Sequence, residues 1–351
     1  IIQATNEIIL KDVLVGEVWL CSGQSNMEYQ MRKITKESTR PLNGNYYPQN
    51  EWEEANNDAI RIFLVNRKAL PKVDDEYDGW DVATGKPLYN FSAAGYFFAK
   101  ELNRQLGVPV GMISSAVSGS RIEPWIEASA FETGFFKGQK VDGDPGKFFE
   151  TMIEPLAPFS LRGFLWYQGE TNTFLNEKLT YAYKMKTLIN NWRNTWNGQD
   201  LPFYYTQIAP FLYSKGSADS LSVEALPELR EAQTAVMAMP QTGMIITTDL
   251  SDDNNNIHPT YKWEIGRRLA LQALRKTYDL NEVVADGPFV KDVDFRGKRA
   301  VVSYQHPENG LKSANSQPLS WFELAGKDGR FYPAKAEIKG NKIVVTSAKV
   351  K

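Results

Sequence analysis

From Gly16 to about Leu274, apolar runs of β type alternate with helical patterns, and that alternation predicts a parallel sheet covered by helices on both faces. The runs are EVWLCSG (17–23), VGMISSAV (110–117), GFLWYQG (163–169), FYYTQIA (203–209) and GMIITT (243–248). Between them, Ser92 is placed to cap a helix over AAGYFFAKELNRQLG, which stops at Gly107 just before Pro109. Leu179, Tyr183, Leu188 and Trp192 fall at roughly helical spacing within 177–196. Two further helices are expected to begin with Pro227 and Pro259 in their first turns. The stretch from Tyr29 to Asn90, rich in Asn, Pro, Tyr and charge, reads as a long insertion over one end of the sheet, with a strand at AIRIFLV.

After Leu280 the pattern becomes that of antiparallel strands and hairpins, in PFVKDVDFRGKRAVVSYQH, PLSWFEL and KAEIKGNKIVVTSAKV. NEIILKDVLVGEVWL at the other end has the same character. The expected organisation is therefore the end of a β module over 1–15, an α/β domain over 16–280 and a partial β module over 281–351. The fold class is a three-layer αβα sandwich with a parallel sheet.

Composition narrows the chemistry. The 351 residues have a formal net charge of -2 and no basic stripe, so neither nucleic acid nor an anionic membrane surface is the expected partner. One cysteine, Cys21, excludes an internal disulfide and a cysteine-based zinc cage. No stretch approaches the apolar length of a membrane span. Aromatic residues make up 12% of the chain; Trp125 and Trp166 are read as core rather than as sugar platforms.

In an open parallel sheet, ligands bind beyond the carboxyl ends of the strands. Those ends carry SGQSN, SGSRIEPW (118–125), QGETN (168–172) and DLSDDNNNIHPTYK (249–262). Of the two histidines, His258 lies at this end, whereas His306 in YQHPENG is read as structural. A serine needs a neighbouring base to become a nucleophile, and acyl transfer needs donors aimed at the oxyanion. Ser25, at a strand-to-helix turn, fits the first need with His258. The N–H groups of Ser25 and Gly119 and the amide of Asn172 fit the second. Taken singly, each has a plainer reading: a helix cap, a turn glycine and a loop capper.

The motifs GEVWLCSGQSNME, SGSRIEPW, WYQGETN, QIAPF, PELREAQ and NIHPTYKWEIGRRLA occur in order between residues 16 and 270. In this the chain resembles the Ser-Gly-Asn-His (SGNH) hydrolases, and among them the sialate O-acetylesterase group. The resemblance implies Ser25 as nucleophile, His258 as general base, and Gly119 and Asn172 as oxyanion donors. It implies no metal or other cofactor, an O-acetylated sugar or glycan as substrate, and work outside the cytosol, secreted or periplasmic. Relatives often carry a β domain before the catalytic one, so the chain is expected to be part of a longer protein.

One departure stands out. The family places an Asp three residues before the histidine, and here that position is Asn255. Loss of the acid removes the charge that holds an imidazole in its tautomer. Three outcomes stay open: Asp253, Asp252 or Asp249 reaches the ring; a backbone carbonyl orients it; or the enzyme is slow or inactive. Gln24, Arg121, Glu170 and Gln207 are the polar candidates for substrate binding, with Arg121 either paired to Glu123 or gripping a substrate carboxylate. Acetylxylan is the alternative substrate to acetylated sialic acid, a non-catalytic carbohydrate-binding relative is the reading from another class, and the polar loops disfavour a lipase-like esterase.

Overall fold

The computed structural model describes residues 9–34, 50–65, 79–198, 200–216, 221–305 and 310–350. By its contacts the chain divides into two compact units, Ile1–Val283 and Val284–Lys351. The first is built on a seven-stranded sheet of order β3-β2-β4-β1-β5-β6-β7. Its strands are β1 (Glu17–Gly23), β2 (Ile60–Leu64), β3 (Trp80–Val82), β4 (Val110–Ala116), β5 (Gly163–Tyr167), β6 (Phe203–Thr206) and β7 (Thr242–Ile245). All pair in parallel except β2 with β3. The sequence did not announce β3, whose three residues are too few to show a period.

Strand alternation sends neighbouring side chains to opposite faces, and the aromatic residues use both. Trp19 meets Phe98 at a ring-centroid distance of 5.1 Å and Tyr204 at 5.8 Å. Its register partner on β5 is Gly163, so Phe164 points the other way and meets Trp192 at 5.4 Å. Full burial of side chains of this size contributes roughly 1.5–3 kcal/mol each. The helices that cover the sheet include α1 (Ser25–Glu28), α2 (Ala93–Leu106), α3 (Glu170–Phe174), α4 (Thr180–Thr195), α5 (Ala225–Ala235) and α6 (Lys262–Lys276).

Local rules explain several boundaries. The Ser92 hydroxyl accepts from Gly95 N and so caps α2, which ends at Gly107 with φ 67°. By contrast, α5 starts two residues before Pro227, and α6 three residues after Pro259. The Pro259 carbonyl instead serves a side chain of α6, described below. Of the strand expected over 1–15, residues 9–15 form none and 1–8 lie outside the described residues.

The second unit is antiparallel, as its pattern predicts. It has a four-stranded sheet of order β12-β13-β9-β8 and a two-stranded one of β10 and β11. These are β8 (Phe289–Arg296), β9 (Arg299–Gln305), β10 (Glu323–Ala325), β11 (Phe331–Pro333), β12 (Lys335–Lys339) and β13 (Lys342–Thr346). Leu324, Ile343, Val345 and Val350 belong to its core. His306 lies outside the described residues.

Candidate active site

The turn that presents Ser25 depends on a close backbone approach. Gly23 ends β1 with φ 138°, and a Cβ there would lie 2.1 Å from the Tyr167 carbonyl oxygen. Only glycine fits, and the chain then swings directly into α1. Gln24 N donates to that same Tyr167 carbonyl at 3.0 Å, while Val117 N donates to Gly23 O at 3.1 Å. Ser25 is the first residue of α1, so its N–H is not consumed by the helix.

Across 233 positions of chain, His258 Nε2 lies 2.9 Å from Ser25 Oγ. Both residues are half-buried. The loop bearing Gly119 is fastened to α1, because Glu28 Oε2 accepts from Ser118 N at 2.6 Å and from Ser118 Oγ at 2.5 Å. Gly119 itself is exposed, has φ 73° and has nothing within 4 Å of where a Cβ would stand.

The expected acids are elsewhere. Asp253 Oδ1 accepts from both the backbone N and the Nδ2 of Asn255, each at 2.8 Å. Asp252 Oδ2 accepts from the Tyr261 hydroxyl at 2.6 Å, and Asp249 pairs with Arg268 at 2.6 Å. Among the described residues, His258 makes two hydrogen bonds: its N–H to Asn256 Oδ1 at 2.9 Å and its ring to Ser25. Burial, with the cations of Lys262 and Lys33, brings the imidazole down from 6.5 to about 4.

Asn172 is wholly buried, and both ends of its amide are occupied. Its Oδ1 accepts from Gln168 Nε2 at 2.7 Å and Ile122 N at 3.1 Å, and its Nδ2 faces Glu123 and Glu177, each at 3.4 Å. The structure thus sets this amide inward, as an organiser of the strand ends, where the sequence expectation had it facing an oxyanion.

The four substrate-binding candidates are drawn into the protein. Gln24 Oε1 accepts from Gln168 Nε2, Gly169 N and Thr171 N, at 3.1, 3.2 and 3.3 Å, and so fixes the end of β5. Gln207 Nε2 donates to Arg230 O and Thr234 Oγ1, each at 3.1 Å, tying β6 to α5. Arg121 takes the salt-bridge alternative, with Glu123 at 3.0 Å. Glu170 is buried, accepts from Asn26 Nδ2 at 2.5 Å, and burial raises its pKa. These residues follow strands or begin helices, positions that a sequence marks equally for binding and for bracing.

Two residues that the sequence reading passed over stand beneath the Ser25–His258 pair. Asn26 and Lys262 are each completely buried, and Lys262 Nζ donates to Asn26 Oδ1 at 2.7 Å. A signal existed for Lys262: it shares a helical face with Ile265, Leu269 and Ala273, all buried.

The family model described as carbohydrate esterase, sialic acid-specific acetylesterase, matches residues 15–275. The chain belongs to this family. Sialate O-acetylesterases of Pongo abelii and Homo sapiens are 30% and 29% identical to it, each match taking in 83% of this chain and 59% of the relative. The chain therefore spans about three-fifths of the length of these curated relatives. The crystal structure of a carbohydrate acetylesterase from Xanthomonas citri superposes with a TM-score of 0.81 at 34% identity, over 97% of this chain and 74% of that one. The family match spans the whole sheet and both members of the close Ser25–His258 pair. Among the described residues no helix is long and apolar enough to cross a membrane.

Proposed function

We propose that this chain carries the catalytic site of a carbohydrate O-acetylesterase that removes acetyl groups from sugars through an acetyl-serine intermediate. The observation that carries the reading is the 2.9 Å approach of His258 Nε2 to Ser25 Oγ at the carboxyl ends of the strands. His258 takes the hydroxyl proton as Oγ attacks the acetyl carbonyl. The developing oxyanion is met by the N–H groups of Ser25 and Gly119. The sugar oxygen leaves with the proton held by His258. Water, deprotonated by the same ring, then attacks the acetyl carbon and releases acetate, and Ser25 recovers its proton. The names of the relatives point to acetylated sialic acids, and acetylated xylan is the comparison substrate.

Treatment with a fluorophosphonate tests the assignment. One adduct on Ser25, found by peptide mass spectrometry and accompanied by loss of acetate release from p-nitrophenyl acetate, is expected; an adduct elsewhere with Ser25 unlabelled overturns it. Acetate release from acetylated sialic acid and from acetylated xylan then ranks the substrates.

The low imidazole pKa has a direct kinetic consequence. His258 works in its neutral form, and folding lowers the pKa, so the neutral form persists as the pH falls until it reaches about 4. kcat/KM is accordingly expected to hold constant down through pH 6 and to fall only on approaching pH 4. An acid limb at the ordinary histidine value of 6.5 would contradict it. Asp252→Asn and Asp253→Asn are each expected to leave kcat and that limb in place. A loss beyond about tenfold in either variant would put an acid behind the histidine after all.

A further inference from the structure

With no carboxylate among the described residues bonded to its ring, His258 must be oriented by other means, and the chain on either side of it is held in a specific way. Asn26 Nδ2 donates to the carbonyl of Ile257 at 3.0 Å. Lys262 Nζ donates to the carbonyl of Pro259 at 2.7 Å. The two grips are joined, since Lys262 also donates to Asn26 Oδ1 at 2.7 Å, and Asn26 is the residue next to Ser25. Beyond Asn26, its amide donates to buried Glu170 at 2.5 Å. The ammonium itself is packed between the rings of Tyr29 and Tyr167, at 4.7 and 5.5 Å from their centroids. A charge wholly out of water at the start of a helix, whose dipole end is positive, is costly, and it persists only where surrounding groups hold it.

We propose that Asn26 and Lys262 are positioning residues which fix His258 against Ser25 by gripping the carbonyls on both sides of it, supplying the orienting part alone of what a carboxylate does in a triad. The inference rests on the Ser25–His258 reading above. It follows from geometry that one side chain, Asn26, couples the helix carrying the nucleophile to the loop carrying the base. Any slip of that loop lengthens the 2.9 Å contact, and misplacements of about 1 Å can cost some 10²-fold in rate.

The same arrangement predicts a charge effect that a merely structural clamp lacks. Among the described residues, the charged groups facing His258 are Lys262, from α6, and Lys33, from the short helix Met31–Ile34, both cations; Glu170 stands behind Asn26. Removing the Lys262 cation makes the imidazole easier to protonate.

Lys262→Met and Lys262→Gln separate the two roles. Both variants are expected to move the acid limb of kcat/KM to higher pH. Methionine, which cannot donate, lowers kcat by about 10- to 100-fold with KM near the parent value, whereas glutamine, which keeps a donor, recovers part of the loss. Because the chain has only two histidines, the His258 imidazole can also be followed by proton NMR, with the signal assigned by its absence in His258→Ala, and its titration is expected to rise in both variants. Asn26→Ala, which loses the grip on Ile257 and the link to Lys262 but keeps the lysine and its hold on Pro259, is the second test should Lys262→Met fail to fold. It lowers kcat at unchanged KM.

Ser25→Ala is assayed beside them. If it retains activity, the esterase reading falls and the clamp falls with it. If it is inactive while folded Lys262→Met, Lys262→Gln and Asn26→Ala keep the parent kcat and acid limb, the clamp alone is overturned.

Discussion

Replacing Ser25 by alanine lowers acetate release from p-nitrophenyl acetate by roughly 10⁴-fold or more. The substitution deletes the atom that becomes acylated and leaves His258 only water to activate. The backbone N–H of residue 25 and that of Gly119 stay in place, so a residual rate above that of buffer is expected rather than none. Stability is expected to be nearly untouched, because the Ser25 hydroxyl is half-buried, alanine suits the first position of a helix, and the bond that is lost is to His258. An unchanged melting temperature with a collapsed kcat therefore separates a chemical role from a structural one. His258→Ala is expected to be nearly as damaging, and the double variant no worse than either single one, since the two act as one unit. Rates equal to the parent's in either single variant would remove the reaction from this pair.

How far the sequence revealed this site depends on what kind of information each residue needed. Ser25 and His258 were legible because each lies in the segment that follows an apolar run, at the side of the sheet where ligands bind, and the position of a strand end is a local property. The sheet was legible for the same reason. β1 runs over Glu17–Gly23, the very bounds of its apolar run. Hydrogen-bond partners are not local. Gln24, Glu170 and Gln207 sit where substrate contacts would be expected, yet Gln24 Oε1, Glu170 Oε1 and Gln207 Nε2 are engaged by groups brought from 23 or more residues away. No periodicity records that. The missing acid follows the same logic: Asp252 and Asp253 are within loop reach of His258 by count, but the loop turns on itself, and Asn255, standing in the acid's place, donates from its backbone N and its Nδ2 to Asp253. Lys262 was overlooked because lysine in an amphipathic helix reads as a solvated residue by default, although its face was the apolar one. The start of α6 was misplaced for a related reason. Pro259 marks a helix entry in general, and here its carbonyl is held by Lys262 while the helix waits three residues.

Glu123→Gln is expected to destabilise the protein by about 3–5 kcal/mol at neutral pH, the cost of leaving a buried charge without its partner. Glu123 is fully buried, accepts from Lys184 at 2.7 Å and from Arg121 at 3.0 Å, and faces the amide of Asn172. Lys184 also reaches Glu177 at 2.5 Å, and this second carboxylate softens the loss toward the lower end of the range. For a chain of this size the fall in melting temperature is on the order of 10 °C. The pH dependence has a definite sign. Burial raises the Glu123 carboxyl, Lys184 and Arg121 lower it by more, and the net folded pKa is below its ordinary value of 4.5. A depressed carboxylate contributes stability that is complete above the unfolded pKa and is lost as the pH falls through the folded one. Melts of parent and variant should thus lie far apart at pH 7 and draw together as the pH drops below the ordinary value of 4.5. A gap that stays constant with pH would mean that shape, and not charge, holds this corner. Because the cluster also braces Asn172 between the ends of β4 and β5, a variant that folds is expected to lose activity at the temperatures where its parent is still firm.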